Sequence, residues 1–372
     1  MKILHISSWY PTRKSPKTAL WVERHIQALT EQGVKNKIYH VEAAQGKFEI
    51  NINRKELNGN RKYAFISKVV PWFVLELVAF LFVLIVLFKE RINHYDVINF
   101  HIAYPNLVYW HWVKRWIKTP VGITEHWSAY HHNFGLPKSQ NLPRVQRIFN
   151  NNVSLISVSK ALAKDIKGFS RMDFPSYIVP NITDTRIFKF DGQIKDKPQR
   201  FFMVSLWKDP KDPYSVLRAF SKYAKGNSHA ELIIGGYGPQ IPSINSLVED
   251  LSLQESVKYL GRMDAQEIAS EMNKAMAFIH LSTYETFSVV CAEAVCCGCP
   301  VIASQVGGIP EFIHSGNGIL INEHNELLSA MKALSHLQFD RKVIAQEAGE
   351  KFSIESVGSQ YKSALKDIIQ RC

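Results

Sequence analysis

The chain has 372 residues, 46% of them hydrophobic and 21% charged, with only 5 cysteines, which excludes a disordered segment and a small disulfide-stapled scaffold and suffices for two folded domains. The formal net charge of +12 is one-sided: residues 1–185 hold 25 Lys and Arg against 12 Asp and Glu, whereas residues 186–372 hold 20 against 21. Such asymmetry points to a polyanionic partner for the first half, anionic lipid or a phosphate-bearing acceptor, and argues against nucleic acid because no motif interleaves aromatic and basic residues.

Met1-Lys2-Ile3-Leu4-His5-Ile6-Ser7 is too short an apolar run for a signal peptide and reads as a first strand. A polar loop follows to Lys17. Leu20, Val22, Ile26 and Leu29 then recur at helical spacing before Gly33, and residues 37–41 return as a strand, giving a βαβ opening. Residues 69–88 form the most apolar stretch, with Glu76 its only charge and Arg61, Lys62, Lys68, Lys89 and Arg91 flanking it. Twenty residues are just enough to span a bilayer, but spanning would separate the first strands from the rest of their domain. A core helix or a helix lying in a membrane interface both fit, and the basic flanks favour membrane contact.

Residues 96–100 and 120–124 read as further strands, the second running into Glu125-His126-Trp127. That places His126 at a strand's carboxyl end; His101, His131 and His132 are weaker candidates. Residues 155–160, 161–168 and 177–181 resemble a last strand, a helix and a crossover to the second half. A polar segment at 182–198, with Gly192 and Pro198, reads as a linker.

The second half opens with a strand at 200–206 and the turn Trp207-Lys208-Asp209-Pro210-Lys211-Asp212-Pro213 before a helix. The strand at 231–234 leads to Gly235-Gly236-Tyr237-Gly238, where Gly236 and Gly238 would permit close backbone approach by a ligand. Another strand follows at 257–261. Phe278-Ile279-His280-Leu281 then leads through Ser282 and Thr283 to a buried helix at 287–297, stopped by Gly298 and Pro300. Its N-terminus suits a phosphate, and Glu285 and Glu293, eight residues apart, would lie about 12 Å apart along one side. Val301-Ile302-Ala303 is a second buried strand, and Gly307-Gly308-Ile309-Pro310-Glu311 a glycine turn opening a helix. Two strand-to-helix turns would face one cleft. Cys291, Cys296, Cys297 and Cys299 crowd this helix as small buried thiols in a reducing compartment; Cys296-x-x-Cys299 lacks the second pair that zinc would need. Residues 341–369 are helical.

Glu285-Thr286-Phe287 with Glu293-Ala294, then Gly298-Cys299-Pro300-Val301-Ile302-Ala303, then Gly307-Gly308-Ile309-Pro310-Glu311, resemble the donor-binding signature of the retaining nucleotide-sugar glycosyltransferases of family 4 (glycosyl transferases group 1). The resemblance covers nearly the whole chain and is more specific in the second half. It implies an α/β fold of two Rossmann-like domains facing a central cleft (GT-B type): residues 1–185 for the acceptor, 186–345 for the nucleotide sugar, and 346–372 as a C-terminal helix packing back on the first domain. By the same resemblance His126 contacts the sugar near the reacting centre and Glu285 its hydroxyls, these two being the catalytic candidates. Glu293 holds the ribose and Lys211 the diphosphate. Gly236, Gly238, Thr286, Phe287, Ser288 and Lys208 complete the donor site. Ala19 and Ser288 stand where the family often has glycine, and Leu206 where it has an arginine.

The implied function is retaining transfer from a UDP-, GDP- or ADP-sugar, through front-face attack and with no metal or other cofactor, to a lipid-linked or cell-envelope glycan acceptor. The implied location is cytoplasmic and peripheral on an anionic membrane surface. An acceptor-independent nucleotide-sugar hydrolase or epimerase, or a non-catalytic sugar-nucleotide-binding subunit, are the alternatives.

Overall fold

Short buried apolar runs alternating with helical segments build parallel sheets, because each crossover helix must cover a sheet face. The computed structural model describes residues 1–56, 59–137, 140, 142–150, 153–193 and 199–371. The chain divides into two compact units, Met1–Ile182 with Ile354–Cys372, and Thr183–Ser353.

The first unit contains β1 (Lys2–Ser7), α1 (Leu20–Glu31), β2 (Lys35–Ala44), β3 (Glu49–Lys55), β4 (Arg61–Ile66), α2 (Trp72–Glu90), β5 (Val97–His101), β6 (Val121–Glu125), α3 (Pro143–Gln146), β7 (Ser154–Ser157), α4 (Lys160–Ser170) and β8 (Ser176–Ile178). Its eight-stranded sheet has the order β3-β4-β2-β1-β5-β6-β7-β8, parallel throughout except for the antiparallel β3–β4 pair. That hairpin escapes the sequence reading because β3 is a polar edge strand whose apolar residues are only Ile50 and Ile52, although their alternation is itself a strand signal.

The long apolar stretch forms α2, whose Leu75 and Ala79 pack with Ala43 of β2. Its single internal acid, Glu76, is buried, accepts from Tyr104 Oη at 3.1 Å and pairs with Arg144 Nε at 3.2 Å. The helix therefore lies against the sheet along one face.

The second unit contains β9 (Arg200–Leu206), α5 (Pro213–Ala224), β10 (Glu231–Tyr237), α6 (Ile241–Asp250), β11 (Val257–Gly261), α7 (Ala265–Lys274), β12 (Ala277–His280), α8 (Val289–Cys296), β13 (Val301–Ser304), β14 (Gly318–Ile321), α9 (Leu327–Leu334) and α10 (Arg341–Phe352). Its six-stranded sheet, β11-β10-β9-β12-β13-β14, is wholly parallel. Side chains from β9, β10, β12, α5 and α9 form its core.

The terminal helical stretch divides at Ser353, whose extended backbone (φ −62°, ψ 159°) ends α10. Residues 346–352 thus stay in the second unit, and α11 (Ile354–Arg371) belongs to the first. There Tyr361, fully buried, accepts from Asn99 Nδ2 at 2.8 Å and shares a hydrogen bond with Thr124 Oγ1 at 2.6 Å. These bonds tie α11 to β5 and β6.

Candidate active site

In the second unit all strands point the same way, so their carboxyl ends share one edge, and the strand order reverses between β9 and β12. Open parallel sheets bind ligands at such a switch point. The loops leaving these two strands are joined by an antiparallel bridge between Lys211 and Ser282, and by Asp212 N donating to Leu281 O at 3.1 Å. Residues 74 positions apart are thereby brought into contact: Lys211 Nζ donates to Glu285 Oε1.

His280 closes the cluster, its Nε2 2.8 Å from the same carboxylate oxygen and 3.4 Å from Lys211 Nζ. Burial, reinforced by the Lys211 charge, holds His280 well below its ordinary pKa. A carboxylate only accepts, so the neutral ring carries its proton on Nε2 and donates it to Glu285. Burial also lowers the Lys211 ammonium to about 8. The carboxylate it touches compensates the cation in a site that water reaches poorly.

A second network lies beside the first. Asp212 caps α5 by accepting from Ser215 N at 3.0 Å, and its other oxygen is 2.6 Å from His324 Nδ1. His324 Nε2 is 3.1 Å from Ser304 Oγ, which accepts from Ser282 N at 3.2 Å. Four strand-end loops are linked by these contacts, and the loop carrying Lys211 is held from both sides. The sequence shows none of this, because Asp212 and His324 are 112 residues apart and each sits in an ordinary polar turn.

The turn after β13 fixes Glu285 by its backbone. Gly308 N donates to Glu285 O at 3.0 Å, and a Cβ on Gly307 would lie 1.6 Å from that oxygen. Helix α8 begins only at Val289, so Glu285 lies in the turn before the helix while half-buried Glu293 lies within it. The two glutamates therefore do not share a helix face, and the 12 Å spacing expected from helical rise does not apply. The late start follows from Ser288, which caps the helix at φ 74°, ψ 81°, a left-handed conformation that costs a non-glycine residue about 1–2 kcal/mol.

Phe287 is buried against Phe312 and Phe352, with ring centroids at 5.2 and 5.5 Å, so its side chain serves packing; half-buried Thr286 precedes it. Gly236 and Gly238 pass close to the protein's own backbone. A Cβ on Gly236 would meet Ser205 O at 1.9 Å and one on Gly238 would meet Trp207 O at 2.3 Å. The close approach is to the protein's own β9 turn, which these glycines allow to pass. Lys208 is exposed on that turn next to exposed Leu206.

In the first unit His126 directly follows β6 and is buried in a group of imidazoles. Its ring centroid is 5.3 Å from His25 and 6.5 Å from His101, and His101 Nε2 in turn lies 3.1 Å from His5 Nδ1. Burial dominates: His5 and His25 fall to about 4 and His126 well below its usual value, against a weaker pull from Asn181. The group is neutral at physiological pH. Glu125, fully buried beside it, accepts from Ala103 N and Tyr130 Oη, each at 2.7 Å, yet desolvation raises it to about 7. His131 pairs with Asp165 at 3.1 Å and packs edge-on against His132; neither belongs to the His126 group.

The four cysteines of the α8 segment are buried thiols without disulfides, and burial pushes Cys291 and Cys296 up to about 12. Among the described residues no three His, Cys, Asp or Glu side chains converge to hold a metal.

Comparison with known proteins decides the class. The family described as "Glycosyltransferase Family 4" matches residues 19–187, and that described as "Glycosyl transferases group 1" matches residues 184–351. The chain is a GT-B glycosyltransferase. The enzyme is 25% identical over 292 residues to N-acetyl-alpha-D-glucosaminyl L-malate synthase of Bacillus anthracis, covering 74% of this chain and 75% of the relative. It is 26% identical over 271 residues to poly(glycerol-phosphate) alpha-glucosyltransferase of Bacillus subtilis strain 168, covering 69% of this chain but only 40% of that protein's length. Its fold matches Anabaena Alr3699/HepE, solved in complex with UDP, with a TM-score of 0.74 at 18% identity, over 99% of this chain and 100% of the other. The glycosyltransferase thus has two parallel-sheet α/β domains of the GT-B type and transfers sugar.

Proposed function

We propose that the enzyme moves a sugar from a nucleoside diphosphate sugar to a lipid-linked or other cell-envelope glycan, with retention of anomeric configuration. The observation that carries this reading is the Lys211–Glu285–His280 cluster at the switch point of the second sheet. A donor diphosphate entering at the α8 N-terminus takes the Lys211 ammonium and nearby backbone amides as partners. Glu285, released from Lys211 but still held by His280 and by Gly308 N, accepts from sugar hydroxyls. Glu293 takes the nucleoside ribose, and His126, neutral, serves the transfer.

As the sugar–phosphate bond breaks, negative charge gathers on the departing diphosphate, where Lys211 and the amides stabilise it. This reading assigns that task to them and not to a metal ion. The acceptor hydroxyl attacks from the face the leaving group vacates and gives its proton to the departing phosphate oxygen, so the configuration is kept. UDP in the Anabaena protein supports a nucleoside diphosphate donor. Both Bacillus relatives carry "alpha" in their names, the configuration that retention from an α-linked nucleotide sugar yields. The glycerol-phosphate polymer named for the B. subtilis relative supports an envelope acceptor. The test is the anomeric coupling of the isolated product by NMR. Retention is expected, and an inverted linkage refutes this chemistry.

A further inference from the structure

We infer that the outer face of α2, together with the edge strand β3 and the Trp112–Trp116 segment, is a docking surface for an anionic phospholipid bilayer. Helix α2 is long and apolar enough to cross a membrane by length and composition, but half of it is committed. Leu75 and Ala79 are packed in the domain core, and Glu76 is buried with Tyr104 and Arg144. Crossing would strip that face from its sheet and leave Glu76 in hydrocarbon, so the helix lies along an interface.

The other face is apolar and uncovered: Trp72, Phe73, Leu77, Leu81, Ile85 and Phe88 are exposed, Phe88 to 90%. Most fall four residues apart, which is one stripe of a helix. The stripe continues onto neighbouring elements. Ile50 of β3 stands opposite Phe65 of β4. Directly paired residues share a sheet face, and Phe65 packs with Leu75 and Ala79, so exposed Ile50 lies on the α2 side. Phe48 stacks edge-on against the same Phe65 at 6.5 Å. On another side Trp112, half exposed, meets Phe80 of α2 at 5.9 Å. A band of this breadth exceeds the scattered apolar exposure normal for a soluble domain.

Its rim decides the occupant. Lys68, Lys89 and Arg91 are exposed at the two ends of the helix, and Lys118 and Arg115 lie beside exposed Trp116, with the Arg115 guanidinium 4.4 Å over the Trp116 ring. No acidic side chain of α2 opposes them at the surface: Glu76 is buried, and Glu90 turns inward to accept from Tyr39 and Tyr95. Apolar side chains ringed by lysine, arginine and tryptophan match the layered chemistry of an anionic leaflet, in which hydrocarbon lies beneath phosphate. A second copy of the chain would set the same basic rim against itself.

The test is co-sedimentation of the full chain with vesicles of equal parts phosphatidylglycerol and phosphatidylcholine, against phosphatidylcholine alone. Wild type should partition to the anionic vesicles about tenfold more strongly, with the preference lost at high salt. The Leu81→Asp/Ile85→Asp variant should lose about tenfold per residue, since each withdraws roughly half an aliphatic side chain and adds a charge. A circular dichroism spectrum and melting curve verify its fold. Independently, brominated phosphatidylglycerol should quench wild-type tryptophan fluorescence, and Trp72→Phe/Trp112→Phe/Trp116→Phe should remove most of the quenching. Equal sedimentation of wild type and the aspartate variant, or absence of both anionic binding and quenching, overturns the proposal. So does a wild-type dimer that the aspartate variant converts to monomer without any vesicle binding, because the band would then belong to a second copy.

Discussion

Replacing Gly307 with alanine places a methyl group 1.6 Å from the carbonyl oxygen of Glu285, at a backbone φ of +52°. Two costs follow. An alanine in the left-handed region loses about 1–2 kcal/mol, and forcing a methyl into a filled space costs about 1–3 kcal/mol. If the turn holds, the second unit is destabilised by roughly 2–5 kcal/mol, the sum of those terms. If it yields, the Gly308 N to Glu285 O bond of 3.0 Å breaks and Glu285 leaves Lys211 and His280, so nucleotide-sugar affinity falls instead. Gly226→Ala is the control: its added Cβ would have nothing nearer than Tyr223 O at 3.9 Å, and its effect should stay within about 0.5 kcal/mol. Hydrogen exchange of peptides covering 277–313 reads the first cost, and calorimetric titration with nucleotide sugar reads the second. A Gly307→Ala protein with unchanged exchange and unchanged affinity would falsify the placement of Glu285 against this turn.

Four further outcomes are expected. Ser288→Gly should stabilise the second unit by about 1 kcal/mol by removing left-handed strain. Ala19→Gly should be near neutral in chemical denaturation, because the same relief at φ 52° is offset by a buried methyl beside Tyr10 and Val22 worth about 0.8 kcal/mol. Lys211, held near pH 8 by burial, loses its charge as pH rises through that value, so donor affinity should fall above about pH 8, and Lys211→Met should abolish this alkaline limb. Glu125 has its folded pKa raised from 4.5 to about 7. The folded state thus holds a proton that the unfolded state releases between those values. Its contribution is fully present below 4.5 and lost as pH rises to 7, on the order of 3 kcal/mol. Glu125→Gln should flatten that slope and raise stability at pH 8, measured by urea denaturation at pH 5 and pH 8.

The donor region is legible in the sequence because its signals are local. Gly298 and Pro300 end a helix wherever they occur, and Gly307-Gly308 announces a tight turn without knowledge of its neighbour. That the neighbour is Glu285 is a long-range fact, as is the pairing of Lys211 with a carboxylate 74 residues away. His280 was hidden by apolar neighbours that make it look like any strand residue; its place at a strand's carboxyl end was the signal available. For Gly236 and Gly238 the sequence reports a close approach, but not that the protein's own β9 turn makes one. For α2, composition gave the length and basic flanks, but the choice of which face is buried rests on Glu76 finding Tyr104 and Arg144, which no periodicity announces. The buried imidazoles around His126 likewise come from β1, α1 and β5, elements that only the fold brings together.

The central claim is that sugar leaves its nucleotide at the Lys211–Glu285–His280 cluster only to join an acceptor. Nucleotide release from a panel of UDP-, GDP- and ADP-sugars, with and without membrane lipid extract, tests it most directly when wild type is set beside Glu285→Ala. Release that requires one nucleotide and the extract, and that falls at least about a hundredfold in the variant, is the predicted result. Release without any acceptor, or equal release by Glu285→Ala, contradicts it.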